Sequence, residues 1–195
     1  MNLFEAISKR RDTRHFLEDP IPEEVIGVCL DSASHAPSVG LTRPARFIFV
    51  RDKESRSKVY DLFMEANERA LELLHADPER EKLYSSLKLE GIRESPLGMV
   101  VCVDYSVLRD FTIGTIYSAE TLDWSVCCAI QNFWLALTAQ GYSMGWVSIL
   151  NFAEIKKMLT IPDEYKILGY FCIGKPATDY DSMPMLKQRG WVQEE

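Results

Sequence analysis

The chain has 195 residues, 47% of them hydrophobic, and a formal net charge of −7. This length and composition are typical of one globular domain, and we expect a single domain over residues 1–195. The negative charge argues against a protein that binds the nucleic-acid backbone, which needs clustered lysine and arginine. No apolar run approaches the roughly 18 residues of a membrane span, and the first residues do not resemble a signal peptide. We therefore expect a cytoplasmic protein with no membrane partner.

The five cysteines do not form a metal-binding pattern. Neither the adjacent pair Cys127-Cys128 nor the isolated Cys29, Cys102 and Cys172 has the CxxC spacing of metal sites. We expect buried, reduced thiols and no bound metal. The sequence also has no GxSxG, P-loop or GxGxxG segment, which argues against a serine hydrolase, an NTPase and a dinucleotide-binding Rossmann protein.

Apolar residues at helical spacing predict a short first helix containing Leu3, Phe4 and Ile7, followed by a loop or short extended stretch from Asp12 to Phe16. The pattern then predicts a helix after Pro22, a buried strand over residues 46–50, a long helix from Ser55, and a further helical stretch over residues 83–92.

The second half of the chain continues this alternation of helices and strands. The predicted elements are a strand over residues 99–103, a loop over 106–119, a helix over 121–140, a strand over 145–150, a helix over 152–159 and a strand over 167–173. The strands are too few and too far apart for a regular βαβ series, so we expect an α+β domain of long helices on a small sheet.

The predicted helix over residues 121–140 is apolar nearly all round. Such a helix needs burial on every side, and in a chain of this size part of it is most easily buried at a subunit interface. We therefore expect a dimer. The alternative is a central helix of a monomer.

The segment KRRDTRHF holds Arg10, Arg11 and Arg14 within five residues. Guanidinium groups at this density suit a phosphate or a polarised heterocycle carbonyl, although a solvated cap at the end of the first helix would have the same composition. Asp12 lies among these positive charges, which favour its ionised form and suit it to accept a hydrogen bond or a proton.

Two further segments are candidates for lining a ligand. In HAPSVG, Pro37 and Gly40 indicate a turn, and Ser38 offers a hydroxyl group; the alternative is a turn without function. In GWVSIL, Gly145 allows a planar group or another backbone to come close, and Ser148 is a hydroxyl within an apolar strand. If that hydroxyl is buried it needs a partner, either a neighbouring carbonyl or a ligand atom.

Taken in order, several segments resemble the nitroreductase superfamily over most of residues 3–175: RRDTRHF, HAPSVG, KLEGIRESPLG, LDWSVCCAIQNFWLALTAQGYSMGWVSI and FCIGKP. KLEGIRESPL and the aspartate of RRD are more particular to its BluB-like members, the 5,6-dimethylbenzimidazole synthases. The resemblance implies an α+β fold with a small mixed, mostly antiparallel sheet surrounded by long helices. It also implies a homodimer with FMN bound at the interface.

The resemblance assigns residues to this site. FMN would contact Arg10, Arg11, Arg14, Pro37, Ser38, Gly40, Gly145, Trp146, Val147 and Ser148, with Lys175 or Arg189 completing the phosphate site. Asp12 and Ser148 would be the catalytic residues, Asp12 in proton transfer and Ser148 as a hydrogen-bond donor at the reacting atoms.

The implied reaction is the fragmentation of reduced FMN by O2 to 5,6-dimethylbenzimidazole, the lower ligand of vitamin B12, with the flavin reduced by a separate reductase. Two differences leave alternatives open: Arg43-Pro44-Ala45 replaces the Gln-Pro-Trp of many relatives, and residues 110–124 differ from the expected lid. The first alternative is an NAD(P)H-dependent nitroreductase-type oxidoreductase. The second is a flavin-binding protein without turnover.

Overall fold

The computed structural model describes residues 1–178 and 183–192 and confirms the α+β class. The helices are α1 Leu3–Lys9, α2 Glu23–Ser34, α3 Lys53–Glu72, α4 Pro78–Ser85, α5 Thr121–Ala139, α6 Phe152–Met158 and α7 Met185–Gln188. The strands are β1 Ala45–Val50, β2 Leu97–Asp104, β3 Ser143–Val147 and β4 Tyr165–Gly174. No helix among the described residues is both long enough and apolar enough to cross a bilayer.

The strands of the described residues form one antiparallel sheet in the order β1-β2-β4-β3. The central strand β2 is buried on both faces, and its side chains alternate between two apolar clusters. Met99 and Val101 pack in the cluster that includes residues of α2 and α5, whereas Val100 and Cys102 pack in the cluster that includes residues of α3 and α6. β1 and β3 are the two edges of the sheet.

The predicted helical stretch over residues 83–92 is wrong beyond Ser85. Asp77 caps the N-terminus of α4 by accepting a hydrogen bond from the Arg80 N–H, Pro78 occupies the first turn, and the helix ends at Ser85. The residues that follow form an irregular loop, because Gly91 lies against the ring of Phe16. That tertiary contact has no local signal in the sequence.

Two burial predictions also need correction, one for β1 and one for Cys127 and Cys128. The strand β1 is only half-buried for most of its length, because it is an edge strand. Within one chain, α5 buries one side only, and Trp124 and the adjacent Cys127 and Cys128 are exposed. The other cysteines are buried as expected, and burial raises the pKa of Cys29 to about 12.

We predict that Gly98→Ala destabilises the fold. A Cβ atom at this position of β2 would overlap the hydroxyl of Tyr170, a fully buried side chain with no room to move. We expect a loss of about 3 kcal/mol in the free energy of unfolding, measured by urea denaturation. The control is Gly27→Ala, because a Cβ atom there meets open space on α2 and we expect a gain of about 0.5–1 kcal/mol. Equal stability of the two variants would contradict the prediction.

Candidate functional site

The arginine-rich segment, KRRDTRHF at residues 9–16, begins at the end of α1 and lies along the free edge of β3. The Thr13 N–H donates to the Met144 carbonyl at 3.1 Å, and Asp12 and Met144 form a parallel bridge. Residues 12 and 13 therefore extend the sheet beyond β3. This agrees with the predicted loop or short extended stretch from Asp12 to Phe16. This bridge makes the otherwise antiparallel sheet mixed at that edge.

Gly145 permits this close approach. A Cβ atom on residue 145 would overlap the carbonyl oxygen of Thr13, so only glycine allows the two backbones to meet here. The sequence left two partners open for Gly145, a planar group or another backbone. The structure shows that the partner is the backbone of Thr13. The Nη1 atom of Arg14 lies 3.3 Å from the same Cβ position.

Asp12 and Arg14 bind the strand edge and each other. One carboxylate oxygen of Asp12 accepts the Trp146 N–H at 2.7 Å, and the other lies 2.5 Å from Arg14 Nη2. The same Nη2 atom donates to the Trp146 carbonyl at 2.9 Å. Arg14 Nη1 is buried and has no hydrogen-bond partner among residues 1–178 and 183–192. This nitrogen is therefore ready to bind an acceptor.

Burial of the carboxylate, which removes water from it, raises the pKa of Asp12 above its ordinary value. The neighbouring Arg14, the Trp146 N–H and the more distant Arg10 lower the pKa, but burial of the oxygen atoms outweighs them. Asp12 is thus a carboxyl group with an increased affinity for a proton.

The other two arginines of the segment flank this pair. The guanidinium of Arg10 lies 4.8 Å from the ring centre of Trp134 on α5, which holds it by a cation–π contact. Arg11 donates to the carbonyls of Ser8 and Arg10 at 2.9 and 2.8 Å. Arg14 and Asp12 therefore bind the edge of the sheet, and Arg10 and Arg11 precede them in the chain, which leaves a local positive charge in an acidic protein.

Ser148 is exposed and lies just beyond the end of β3, so the prediction that it lies within a strand is wrong, and its hydroxyl does not need a protein partner. It follows Trp146 by two residues, roughly 7 Å along an extended backbone. Asp12 and Ser148 therefore lie near the same strand edge without contacting each other. Val147 lies between Trp146 and Ser148 in the chain, and its side chain points into the core. Only its backbone can therefore contact a ligand.

The HAPSVG segment forms a tight turn between α2 and β1. Gly40 has a φ of +54°, and the Ser38 hydroxyl accepts the Arg43 N–H at 3.2 Å. The Val39 N–H donates to Ser125 on α5 at 3.0 Å. A cavity of about 260 Å³ lies beside the turn, and its lining includes Ala33, Pro37, Ser38, Arg43, Ala45 and Ser125.

This turn is far from the arginine-rich segment within one chain. The turn precedes Ala45 in β1, at one edge of the sheet. At the other edge, Trp146 pairs with Phe171, which pairs with Met99, which pairs with Phe49 of β1. Three interstrand steps of roughly 4.8 Å and four residues of strand give a separation of about 20 Å. The structure thus unites Arg10, Arg11, Asp12, Arg14, Gly145 and Trp146, and leaves Pro37, Ser38 and Gly40 apart from them.

The two tail residues assigned to the phosphate site, Lys175 and Arg189, lie in different surroundings. The Lys175 carbonyl accepts the Leu17 N–H at 2.9 Å, so Lys175 lies beside the end of the arginine-rich segment. Arg189 follows α7, and the nearby Trp191 packs against Tyr84 of α4.

The sequence patterns did not identify Glu94 as part of this site. Its carboxylate accepts the Phe16 N–H at 3.3 Å and lies 3.1 Å from the His15 ring. The partners are 78 and 79 residues apart, so the only signal was the presence of KLEGIRESPL among the segments that carry the resemblance. In the part of the chain that is described, no three His, Cys, Asp or Glu residues are grouped to hold a metal ion.

Comparison with known proteins agrees with this geometry. Residues 7–175 match the Nitroreductase family. The chain is 40% identical over 182 residues to a 5,6-dimethylbenzimidazole synthase of Rhodospirillum rubrum, with 93% of this chain and 85% of the relative covered. The family and the fold that the resemblance implied are therefore confirmed.

Two solved structures share the fold. An iodotyrosine deiodinase bound to FMN and 3-iodo-L-tyrosine has a TM-score of 0.77 and 20% identity, with 94% of each chain covered. A BluB-like flavoprotein from Clostridium difficile has a TM-score of 0.73 and 19% identity, with 100% of this chain and 99% of that chain covered.

We predict that Gly145→Ala separates the arginine-rich segment from β3, because the new Cβ atom occupies the position of the Thr13 carbonyl. Amide hydrogen exchange in a peptide spanning residues 10–17 should become markedly faster, since the Thr13 N–H loses its acceptor. Exchange in the central strand β2 should change little. Gly27→Ala is again the control, and unchanged exchange at residues 10–17 in Gly145→Ala would exclude this account of the site.

Proposed function

The chain belongs to the nitroreductase family, and we propose that it binds FMN and converts reduced FMN and O2 to 5,6-dimethylbenzimidazole. The observation that carries this proposal is the 40% identity to a 5,6-dimethylbenzimidazole synthase over 93% of the chain. FMN is then a substrate, reduced by a separate flavin reductase. The free cysteines support a reducing compartment, and we assign the activity to the cytoplasm, in a chain that folds as one domain.

The arginine-rich segment fits the charge of FMN. The phosphate of the flavin is an anion, and Arg10, Arg11 and Arg14 concentrate positive charge in a chain whose net charge is −7. The buried Arg14 Nη1 lacks an acceptor among the described residues, and a ligand oxygen would satisfy it. Lys175 adds a cation beside this segment, whereas the geometry gives Arg189 less support.

Asp12 and Ser148 supply the polar groups along the strand edge. When bound, reduced FMN supplies the electrons that reduce O2 and the ring that is cleaved. Each oxygen of Asp12 holds one hydrogen bond and keeps a further lone pair, and its raised pKa suits it to take a proton from the ligand. The exposed Ser148 hydroxyl can donate a hydrogen bond to a ligand beside β3.

We further propose that the site is completed by a second copy of the chain. The HAPSVG turn lies about 20 Å from the arginine-rich segment within one chain, so the turn of a partner subunit is better placed to cover the ligand. Apolar side chains are exposed on α5 and on α1, which packs against it. They include Trp124, Leu3, Phe4 and Ile7. Burial of these residues in a homodimer would remove them from water.

One observation supports a second function. The 260 Å³ cavity beside the HAPSVG turn is lined by Ala45 and Arg43, the residues that differ from many relatives. This volume suits an aromatic substrate, so an NAD(P)H-dependent nitroreductase-type oxidoreductase is the second candidate. Direct reduction of the bound flavin by NAD(P)H would distinguish it from a synthase.

We predict that the purified protein, mixed in air with FMN reduced by a separate reductase, yields 5,6-dimethylbenzimidazole detectable by mass spectrometry. Intact FMN and rapid NAD(P)H oxidation would instead support the second candidate. Intact FMN that binds without NAD(P)H oxidation would indicate a flavin-binding protein without turnover.

Asp12→Asn and Ser148→Ala should each lower the rate of product formation about 100-fold, the usual effect of removing a proton-transfer or charge-stabilising group. Asp12→Asn keeps an acceptor for the Trp146 N–H, so FMN binding is expected to persist. The control variants are Asp61→Ala and Ser57→Ala, exposed positions on α3. Full activity in both site variants would refute the assigned roles.

Trp124→Glu should convert a dimer into a monomer and weaken FMN binding, because it introduces a charge into the proposed interface. Light scattering after size-exclusion chromatography measures the mass. Leu73→Glu is the matched control, since Leu73 is an exposed apolar residue at the end of α3. A wild-type protein that runs as a monomer with FMN bound would exclude the second copy.

A further inference from the structure

The loop over residues 88–95 contacts the arginine-rich segment directly. A Cβ atom at Gly91 would lie 2.6 Å from the Phe16 ring and 2.9 Å from the Arg14 carbonyl oxygen, so the two backbones are in close approach. The loop precedes β2, and its position is fixed by the start of that buried strand. A rigid part of the fold therefore lies against the segment that carries Asp12 and Arg14.

Glu94 is the polar link between the loop and the segment. One carboxylate oxygen accepts the Phe16 N–H at 3.3 Å and lies 3.1 Å from His15 Nδ1. The other lies 3.0 Å from Lys88 Nζ. Both oxygens are thus engaged, one with the segment and one with the loop.

Lys88 and Glu90 anchor this link inside the loop. Lys88 Nζ lies 2.6 Å from a Glu90 oxygen, and the second Glu90 oxygen accepts the Ile92 N–H at 2.7 Å. Glu90 is only 7% exposed, so its orientation is fixed by packing. Burial raises the pKa of Glu94, but the hydrogen bond and charge of Lys88, His15 and the Phe16 N–H outweigh it and lower the pKa overall. The ionised carboxylate is therefore the stable form.

Arg14 lies between two sets of tethers. On one side Thr13 is bound to β3, and on the other Glu94 holds His15 and Phe16. Two further hydrogen bonds, from Ala177 to the His15 carbonyl and from Leu17 to the Lys175 carbonyl, do not depend on Glu94. Loss of Glu94 would therefore leave the segment attached but shift Arg14.

We propose that Glu94 is a positioning residue that, held by Lys88, sets the place of Arg14 and Asp12 toward the ligand. This inference rests on the proposed function for the identity of the ligand, FMN. Glu94 acts through the Phe16 N–H and the His15 ring.

The test compares Glu94→Gln with Glu81→Gln. Glu81 is a matched control, because its side chain is 34% exposed like that of Glu94 and pairs with His75 at 3.2 Å, but on α4. Hydrogen exchange at residues 12–16 should become faster in Glu94→Gln only. The dissociation constant for FMN, from quenching of flavin fluorescence, should rise about tenfold, the usual effect of losing a charge-assisted hydrogen bond.

A double-mutant cycle separates positioning from general damage. In an Arg14→Ala background, Glu94→Gln should add less than about a twofold further loss of FMN affinity, because the group it positions is gone. Wild-type exchange and affinity in Glu94→Gln, or a full tenfold loss in the Arg14→Ala background, would overturn the inference. If the wild-type chain binds no FMN, the proposed function fails, and hydrogen exchange alone still decides the role of Glu94.

Discussion

The pairing of residues 12 and 13 with the free edge of β3 is the constraint on which the candidate site depends. An edge strand presents unpaired N–H and carbonyl groups, which proteins usually protect from other strands. Here the backbone of Thr13 and the side chains of Asp12 and Arg14 occupy those groups. The edge of the sheet thereby fixes one carboxylate and one guanidinium at defined positions. Gly145 is the residue that makes this arrangement sterically possible.

The helix α5 contacts both the HAPSVG turn and the arginine-rich segment. Ser125, near its start, holds the HAPSVG turn, and Trp134, further along, holds Arg10. The two residues are nine positions apart, which corresponds to about 14 Å of helix. Because α5 is packed against the sheet, it holds the turn and Arg10 apart within one chain. In the proposed homodimer, the exposed apolar side of α5 would lie in the interface that completes the ligand site.

Most of the architecture follows from local patterns, and most of the site does not. The apolar periodicity of α2, α3 and α5 predicts these helices, and the apolar run of β2 predicts this strand. Each prediction holds because the local pattern matches one type of secondary structure. The arginine cluster was also visible in the sequence. Its pairing with Trp146, 132 residues away, was not, because contacts between distant residues leave no periodic signal. The loop at Gly91 was mistaken for helix for the same reason, since Phe16 determines its shape.

The structural role of Asp12 and the chemical role proposed for it would be coupled. Its two oxygens hold the Trp146 N–H and the Arg14 guanidinium, so a proton taken up by the carboxylate weakens both interactions. Arg14 would then depend more on the Trp146 carbonyl and on any bound anion. In the proposed reaction, proton transfer at Asp12 and the binding of an anionic ligand would therefore be linked through the Arg14 guanidinium. The tethers at Phe16 and Leu17 do not involve Asp12, so this change can occur without release of the segment from the fold.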